Sequence, residues 1–323
     1  MNIAFALPTP AETGGGGTHF IQGIAPALRG LGHHVDLLEG DAPSLPPDAV
    51  PVIDGMLLPR LLPRLDELIA RDAAVLVYHV SAAAGRDTAA RQGVQETERL
   101  MLPRLRRVIA TSRPVATQLE QAFGLVNPRV VVAGAADLPR SQPGPECRIL
   151  SVGVLTPRKG HDRLLRAMAR LTDLDWHLVI AGDATRDPVH AATLAALIED
   201  LGLSSRASLL VNPEPPALAA DWAGASLFAL ATSWEGYAAA VAQALRRGIP
   251  VVVTDGGEAG ALVTPESGAV CALDDAATFG KCLRRLVFDD ALRADMAVAA
   301  WQAGQALPGW AQQAQALDSI LRS

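Results

Sequence analysis

The stretch LFALATSWEGYAAAVAQALRRGIPVVVT, Leu227–Thr254, holds one complete unit of an architecture that recurs along the chain. Leu227–Leu230 is an unbroken apolar run of strand length, and Pro250–Thr254 is another. Ala239–Arg247, between them, has a helical pattern. An apolar strand, a helix and a second apolar strand imply parallel strands buried on both faces.

The same alternation extends outward. In the second half the other strands are predicted at Arg148–Val152, His177–Ala181 and Ser208–Val211, with helices over Arg163–Leu171, Val189–Leu201 and Ala276–Val287. In the first half the strand candidates are Asn2–Leu7, Val35–Leu38, Pro51–Asp54, Ala74–His79, Arg107–Ala110 and Arg129–Val132. Helical patterns cover Phe20–Leu31, Leu61–Ala70 and Pro114–Phe123. The Pro-rich LPRSQPGPE, Leu138–Glu146, reads as a linker. Two more helical segments, separated by Pro308, end the chain. The fold class is α/β: two Rossmann-like doubly wound parallel-sheet domains facing a cleft. Their bounds read as 1–143 and 144–303, with 304–323 a helix crossing back to the first domain.

Bulk properties exclude several classes. A chain of 323 residues at roughly 100–200 per domain holds two domains. Half the residues are apolar, so each domain can bury a core. The net charge of −6 argues against nucleic acid, whose phosphates call for Lys and Arg. Cys147, Cys271 and Cys282 are odd in number and form no C-x-x-C pair, which fits a reducing cytoplasm and neither a disulfide framework nor a zinc site. No apolar run reaches the ~18 residues of a membrane span, and MNIAFALPTP reads as a first strand. The mixed apolar and basic MLPRLRR, Met101–Arg107, marks at most weak peripheral contact with an inner membrane face.

Ligands of doubly wound sheets bind beyond the carboxyl ends of the strands. Four segments stand there. TGGGGTH, Thr13–His19, lets a backbone approach a ligand ahead of a helix N-terminus; it is equally the composition of a flexible loop. His79 ends VLVYH and is either a cleft residue or a satisfied buried histidine. Arg158 and Lys159, in SVGVLTPRKG, precede a helix, where positive charge opposes the helix dipole. A pair set against its local preference points to an anion: a fork and a point charge for phosphate oxygens. Glu235 sits just before the helix of the opening stretch and either caps it or accepts hydrogen bonds from sugar hydroxyls. Gln243 lies eight residues on, roughly 12 Å at helical rise, a span that suits the two ends of a nucleotide-sugar. One D-x-D, Asp173–Asp175, precedes a strand and so lies at the wrong end of its sheet.

The second half resembles the retaining GT-B glycosyltransferases of family four. The likeness rests on VGVLTPRKGHDRLLRAM and on EGYAAAVAQALRRGIPVVV. More loosely, GGGGTHF, LGHHVDLL and IATSRPVATQL resemble that family's first half. The resemblance implies a metal-independent transfer of sugar, with retention, from a nucleotide diphosphate-sugar, UDP- or GDP-linked, to a small-molecule, lipid or glycan acceptor. No cofactor beyond that co-substrate is implied. Arg158 and Lys159 would hold the diphosphate. Glu235 would hold sugar hydroxyls, and the backbone of Gly236, Tyr237 and Ala238 would meet the sugar and distal phosphate. Gly15 and Gly16 would approach the donor from the first domain, and His79 would stand beside the reacting carbon. Two features depart from the family: Gln243 replaces its second glutamate, which usually binds the ribose, and the first domain is short. Gln243 motivates a rival reading, a non-catalytic nucleotide-sugar-binding subunit. An NAD-linked reading of the Gly loop, with Glu39 on the ribose, leaves the second-half motif unexplained.

Overall fold

The computed structural model describes residues 1–9, 16–80 and 89–323. The chain divides into two compact units, Met1–Gly134 with Pro308–Ser323, and Ala135–Leu307.

The first unit is built on six parallel strands: β1 (Asn2–Leu7), β2 (His34–Glu39), β3 (Val50–Asp54), β4 (Ala74–Val77), β5 (Arg107–Ala110) and β6 (Arg129–Val130). They lie in the order β2-β1-β3-β4-β5-β6. Helices α1 (Gly16–Gly30), α2 (Leu58–Leu61), α3 (Leu65–Ala70), α4 (Ala89–Met101) and α5 (Arg113–Phe123) connect them. β4 reads AVLV and is buried throughout, as a central parallel strand must be. α5 shows how the sequence sets a helix: the Ser112 hydroxyl accepts from the Val115 N–H, and Gly124 at φ 66° closes the last turn.

The predicted helix over Leu61–Ala70 is in fact broken. Two 3-10 turns, Gly55–Leu57 and Leu62–Arg64, alternate with α2 and α3. Pro63 has no N–H to give, so the ladder cannot run unbroken through Leu61–Ala70. β4 also stops at Val77, which leaves His79 two residues beyond the strand and exposed.

The second unit repeats the plan with β7 (Arg148–Val152), β8 (His177–Gly182), β9 (Ala207–Val211), β10 (Leu227–Leu230), β11 (Val251–Thr254) and β12 (Gly268–Cys271). Its helices are α6 (His161–Met168), α7 (Pro188–Asp200), α8 (Pro215–Gly224), α9 (Ala239–Arg246), α10 (Glu258–Ala261), α11 (Ala276–Phe288) and α12 (Asp290–Ala306). The strand order is β12-β11-β10-β7-β8-β9, all parallel. The winding reverses between β7 and β10, so the crevice beyond their carboxyl ends is where this unit binds a ligand. Asp173 of the D-x-D lies before β8, at the opposite end, and pairs with Arg284 at 2.7 Å.

The segment read as a linker belongs to the second unit. The Ser141 N–H donates to the Arg247 carbonyl at 2.9 Å and the Gln142 N–H to the Ala223 carbonyl at 2.8 Å. Both acceptors are carbonyls at helix ends, which need outside donors. The chain changes unit earlier, at Gly134–Ala135. No described helix is long and apolar enough to cross a membrane. Met101, Leu102 and Leu105 of MLPRLRR are buried in the first unit's core, so they offer nothing to a bilayer.

The last helix, α13 (Trp310–Arg322), returns to the first unit and packs on α1. Trp310 seats it, with its ring edge-on to Phe20 at 5.9 Å. Gly23 of α1 makes the space: a Cβ there would lie 2.0 Å from the ring. Alanine is the better helix former by about 0.8–1.0 kcal/mol, but overpacking costs about 1–3 kcal/mol. Gly23→Ala should therefore lower Tm and make α13 protease-sensitive. An unchanged Tm and cleavage pattern would show that Trp310 does not seat this helix.

Candidate functional site at the second unit's switch point

The loops after β7 and β10 are stitched together where the winding reverses. The Ser233 N–H donates to the Arg158 carbonyl at 2.8 Å, and the Ser233 hydroxyl lies 3.1 Å from the same oxygen. Between β7 and α6 the chain makes a single 3-10 turn, Pro157–Lys159, that ends at Gly160 with φ 66°. A Cβ on Gly160 would lie 2.0 Å from the Ala231 carbonyl oxygen, so only glycine fits there. Gly153 leaves the space that the Lys159 stem crosses; a Cβ there would stand 3.0 Å from Lys159 Cδ and Cε.

This scaffold brings Arg158, Lys159 and Glu235 together. Lys159 Nζ is 2.8 Å from Glu235 Oε1, and Arg158 Nη1 is 3.2 Å from the same oxygen. The Thr232 hydroxyl donates to it at 2.8 Å. Arg158 also donates to the Trp234 carbonyl. Glu235 Oε2 takes none of these bonds. Glu235 and Lys159 are buried, whereas the Arg158 side chain is 45% exposed.

Burial alone pushes the Glu235 carboxyl up, but Lys159 and then Arg158 outweigh it and hold the group below its usual range. Burial lowers the Lys159 ammonium, and the Arg158 charge lowers it further against the pull of Glu235. Two cations against one carboxylate leave one positive charge on the cluster. Glu235 therefore does not cap α9. Ala238 holds that cap position and offers no side-chain bond, so the first N–H groups of α9 remain suited to an anion.

Gly236, Tyr237 and Ala238 form the turn from Glu235 into α9, as the sequence predicts. Burial, then the Glu258 charge, pushes the Tyr237 hydroxyl up. Gln243 turns toward the far end of the helix, where its Oε1 is 3.4 Å from Arg247 Nη1. Arg247 in turn covers the Trp222 ring. Gly16, the first residue of α1, and exposed His79 belong to the first unit. Gly15 lies outside the described residues.

Two residues escaped the sequence reading. His161, fully buried, contacts the Ser151 hydroxyl through Nδ1 at 3.2 Å. Burial, then the Lys159 charge, pulls it down to about 3, so it adds no positive charge beneath the lysine. Glu258 follows β11 and joins the site through the backbone, its N–H donating to the Glu235 carbonyl at 2.9 Å. Its Oε2 is buried without a hydrogen-bond partner. The sequence signal for Glu258 was an acid in a Gly-rich loop at a strand's carboxyl end, the same position that singled out Glu235.

The family described as Glycosyl transferases group 1 matches residues 139–302, about half the chain and the whole of this site. The chain belongs to that family. It is 28% identical over 197 residues to the lipopolysaccharide core biosynthesis mannosyltransferase LpsB of Rhizobium meliloti, covering 55% of this chain and 54% of that protein. It is 27% identical over 179 residues to the D-inositol 3-phosphate glycosyltransferase of Nocardia farcinica, covering 50% and 40%. The chain thus spans about half the length, or less, of these curated relatives. Among solved structures it is similar to the sucrose-phosphate synthase of Thermosynechococcus elongatus, at 17% identity, TM-score 0.84, and coverage of 99% and 98%. It is also similar to Anabaena HepE in complex with UDP and glucose, at 17% identity, TM-score 0.80, and coverage of 100% and 99%. These likenesses establish the fold: the group 1 chain is a GT-B protein of two Rossmann-like units.

Lys159→Met keeps most of the stem but leaves Glu235 with a half-exposed partner. Breaking a buried pair costs about 3–5 kcal/mol, and Glu235→Gln in the same chain should restore much of it. Chemical denaturation of both variants checks this; a double variant no more stable than K159M would assign the loss to packing. Burial pushes the Glu258 carboxyl up from 4.5 to about 7. The folded chain holds that proton more tightly than the unfolded one. The associated stability is therefore full below about pH 4.5 and is lost as pH rises through about 7. Glu258→Gln should gain in Tm over the parent from pH 5 to pH 8; an equal difference at both would mean the carboxyl does not titrate there.

Proposed function

We propose that this chain transfers a sugar from a nucleoside diphosphate-sugar to a hydroxyl-bearing acceptor, with retention and without a metal ion. The observation that carries the reading is the Arg158–Lys159–Glu235 cluster at the switch point, with the uncapped start of α9 on the same loop. Its residual positive charge suits a diphosphate, and Arg158 is exposed enough to meet one. Glu235 orients both cations through Oε1 and keeps Oε2 for a sugar hydroxyl. The turn Gly236–Ala238 offers backbone to the sugar and distal phosphate. Membership of the group 1 family supports the reaction class. The UDP bound by HepE supports a uridine diphosphate donor.

As the anomeric carbon–oxygen bond loosens, negative charge gathers on the departing phosphate. Cations already fixed by Glu235 stabilise it without reorganising. The acceptor hydroxyl attacks from the face that the leaving group vacates, giving retention, and its proton passes to the departing phosphate oxygen. The Arg158–Lys159 pair supplies the positive charge that this step requires. Gly16 and His79, at the ligand end of the other sheet, serve the sugar and the acceptor, and family likeness gives Gly15 the same part.

The test is thermal stabilisation by UDP-, GDP- and ADP-sugars, with and without EDTA, followed by donor hydrolysis. One donor should stabilise the parent regardless of EDTA. Arg158→Ala and Lys159→Ala should each weaken it about 10- to 100-fold, the loss of a charged hydrogen bond. Both variants binding the intact donor like the parent would sink the diphosphate assignment. Binding with neither transfer nor slow hydrolysis would instead point to a non-catalytic sugar-nucleotide subunit, the reading that Gln243 favours.

A further inference from the structure

Cys271 closes β12 and is buried, while Cys282 stands on α11 and is half-buried. Cys271 belongs to an apolar core cluster of the second unit, and Cys282 packs against the same cluster. Ten residues separate them along the chain. Asp275 sets the turn between: its carboxylate accepts the Thr278 N–H at 2.8 Å and starts α11. The helix returns over its own strand, and the two thiols hydrogen-bond each other. The third cysteine, Cys147, is engaged elsewhere, where it takes the Ser226 hydroxyl at 3.9 Å.

Packing accounts poorly for the pair. A buried cysteine fills space as a small apolar residue does, so a core needs no sulfur at either position. A permanent cross-link would gain little, because closure of so short a loop removes less entropy than closure of a long one. The two thiols differ instead in a way that suits sequential chemistry. Burial, then the Cys282 charge, pushes the Cys271 thiol up to about 12, so it keeps its proton at neutral pH. Cys282 is the sulfur that an oxidant reaches. A partly exposed cysteine with a second beside it is the arrangement in which oxidation stops at a reversible stage.

We propose that Cys282 and Cys271 form a peroxide-responsive pair, in which a hydroperoxide oxidises Cys282 and Cys271 resolves the product as a reversible disulfide. The Cys282 thiolate attacks a peroxide oxygen, the O–O bond breaks, and the departing oxygen takes up the thiol's proton and leaves as water or an alcohol. Cys282 is now a sulfenic acid. The Cys271 sulfur attacks the Cys282 sulfur, the S–O bond breaks, and the hydroxyl leaves as water with the Cys271 proton. Two thiols have then given two electrons and two protons to one peroxide. Hydrogen-bonded sulfurs need to approach by only roughly 2 Å to reach bonding distance. The pair is independent of the sugar-transfer reading.

The full, reduced chain is treated with hydrogen peroxide, with and without dimedone, and read by intact mass and peptide mapping. Thermal unfolding beforehand shows that each variant is folded. The parent should lose two hydrogens in an intrachain Cys271–Cys282 link, show no covalent dimer on a non-reducing gel, and return to the dithiol with dithiothreitol. Cys271→Ser should stop at the sulfenic acid, so that Cys282 takes up several-fold more dimedone than in the parent. Cys282→Ser should form no link and take up no dimedone. The parent's link decides the matter alone should Cys271→Ser not fold. No link in the parent, a link to Cys147 or to a second chain, or equal dimedone uptake by the parent and Cys271→Ser would each overturn the pair.

Discussion

Everything in the second unit's crevice depends on one buried carboxylate oxygen. Glu235 Oε1 gathers an ammonium, a guanidinium and a hydroxyl within 3.2 Å. Without it, Lys159 would be a buried charge with no partner, and desolvation would drive off its proton. Without the lysine, Glu235 would keep only the half-exposed Arg158 as a charged partner. The pair is therefore a device for keeping positive charge inside a protein wall, next to where an anion would lie. It is poor evidence of stability in itself, since an apolar pair of the same volume would serve a core as well. Its presence at the winding reversal, and not elsewhere in the sheet, is the argument for function.

The backbone around the pair is as constrained as the charges. Gly160 brings the loop after β7 against the Ala231 carbonyl, and Gly153 opens the channel for the lysine stem. The loop after β10 answers through the Ser233 N–H to Arg158. The loop after β11 joins it: the Glu235 N–H donates to Gly256, and the Glu258 N–H returns a bond to Glu235. Three strand ends are thus tied into one surface by the protein's own hydrogen bonds, the kind of preorganisation that electrostatic catalysis requires. Glu258 Oε2 and His161 Nε2 are buried there without a hydrogen-bond partner.

Legibility in the sequence followed how local each cause was. Strands buried on both faces announced themselves: Asn2–Leu7, Arg107–Ala110, Arg148–Val152 and Leu227–Leu230 lie where their apolar runs place them. Arg158 and Lys159 stood out because cations before a helix contradict the dipole, and a local contradiction is visible without tertiary information. Errors arose where tertiary contacts decided. β12, GAVC, begins with glycine and has an exposed Val270, so no apolar run marked it. LPRSQPGPE has a linker's composition, but helix-end carbonyls of the second unit claim its backbone. Proline, read as punctuation at the linker, was overlooked at Pro63, where it interrupts the helix predicted over Leu61–Ala70.

The two units also differ in what kind of specificity they carry. In the second, charge is held at fixed points by one loop pair, and such points require particular residue types, Arg158, Lys159 and Glu235. In the first, the feature with chemical content is a volume, a cavity of about 180 Å³. Its walls come from the turn after β3 with α2, β4 and α4, and many apolar residues of similar size would build them. A charge site is thus readable from a few letters, whereas a shape site is not.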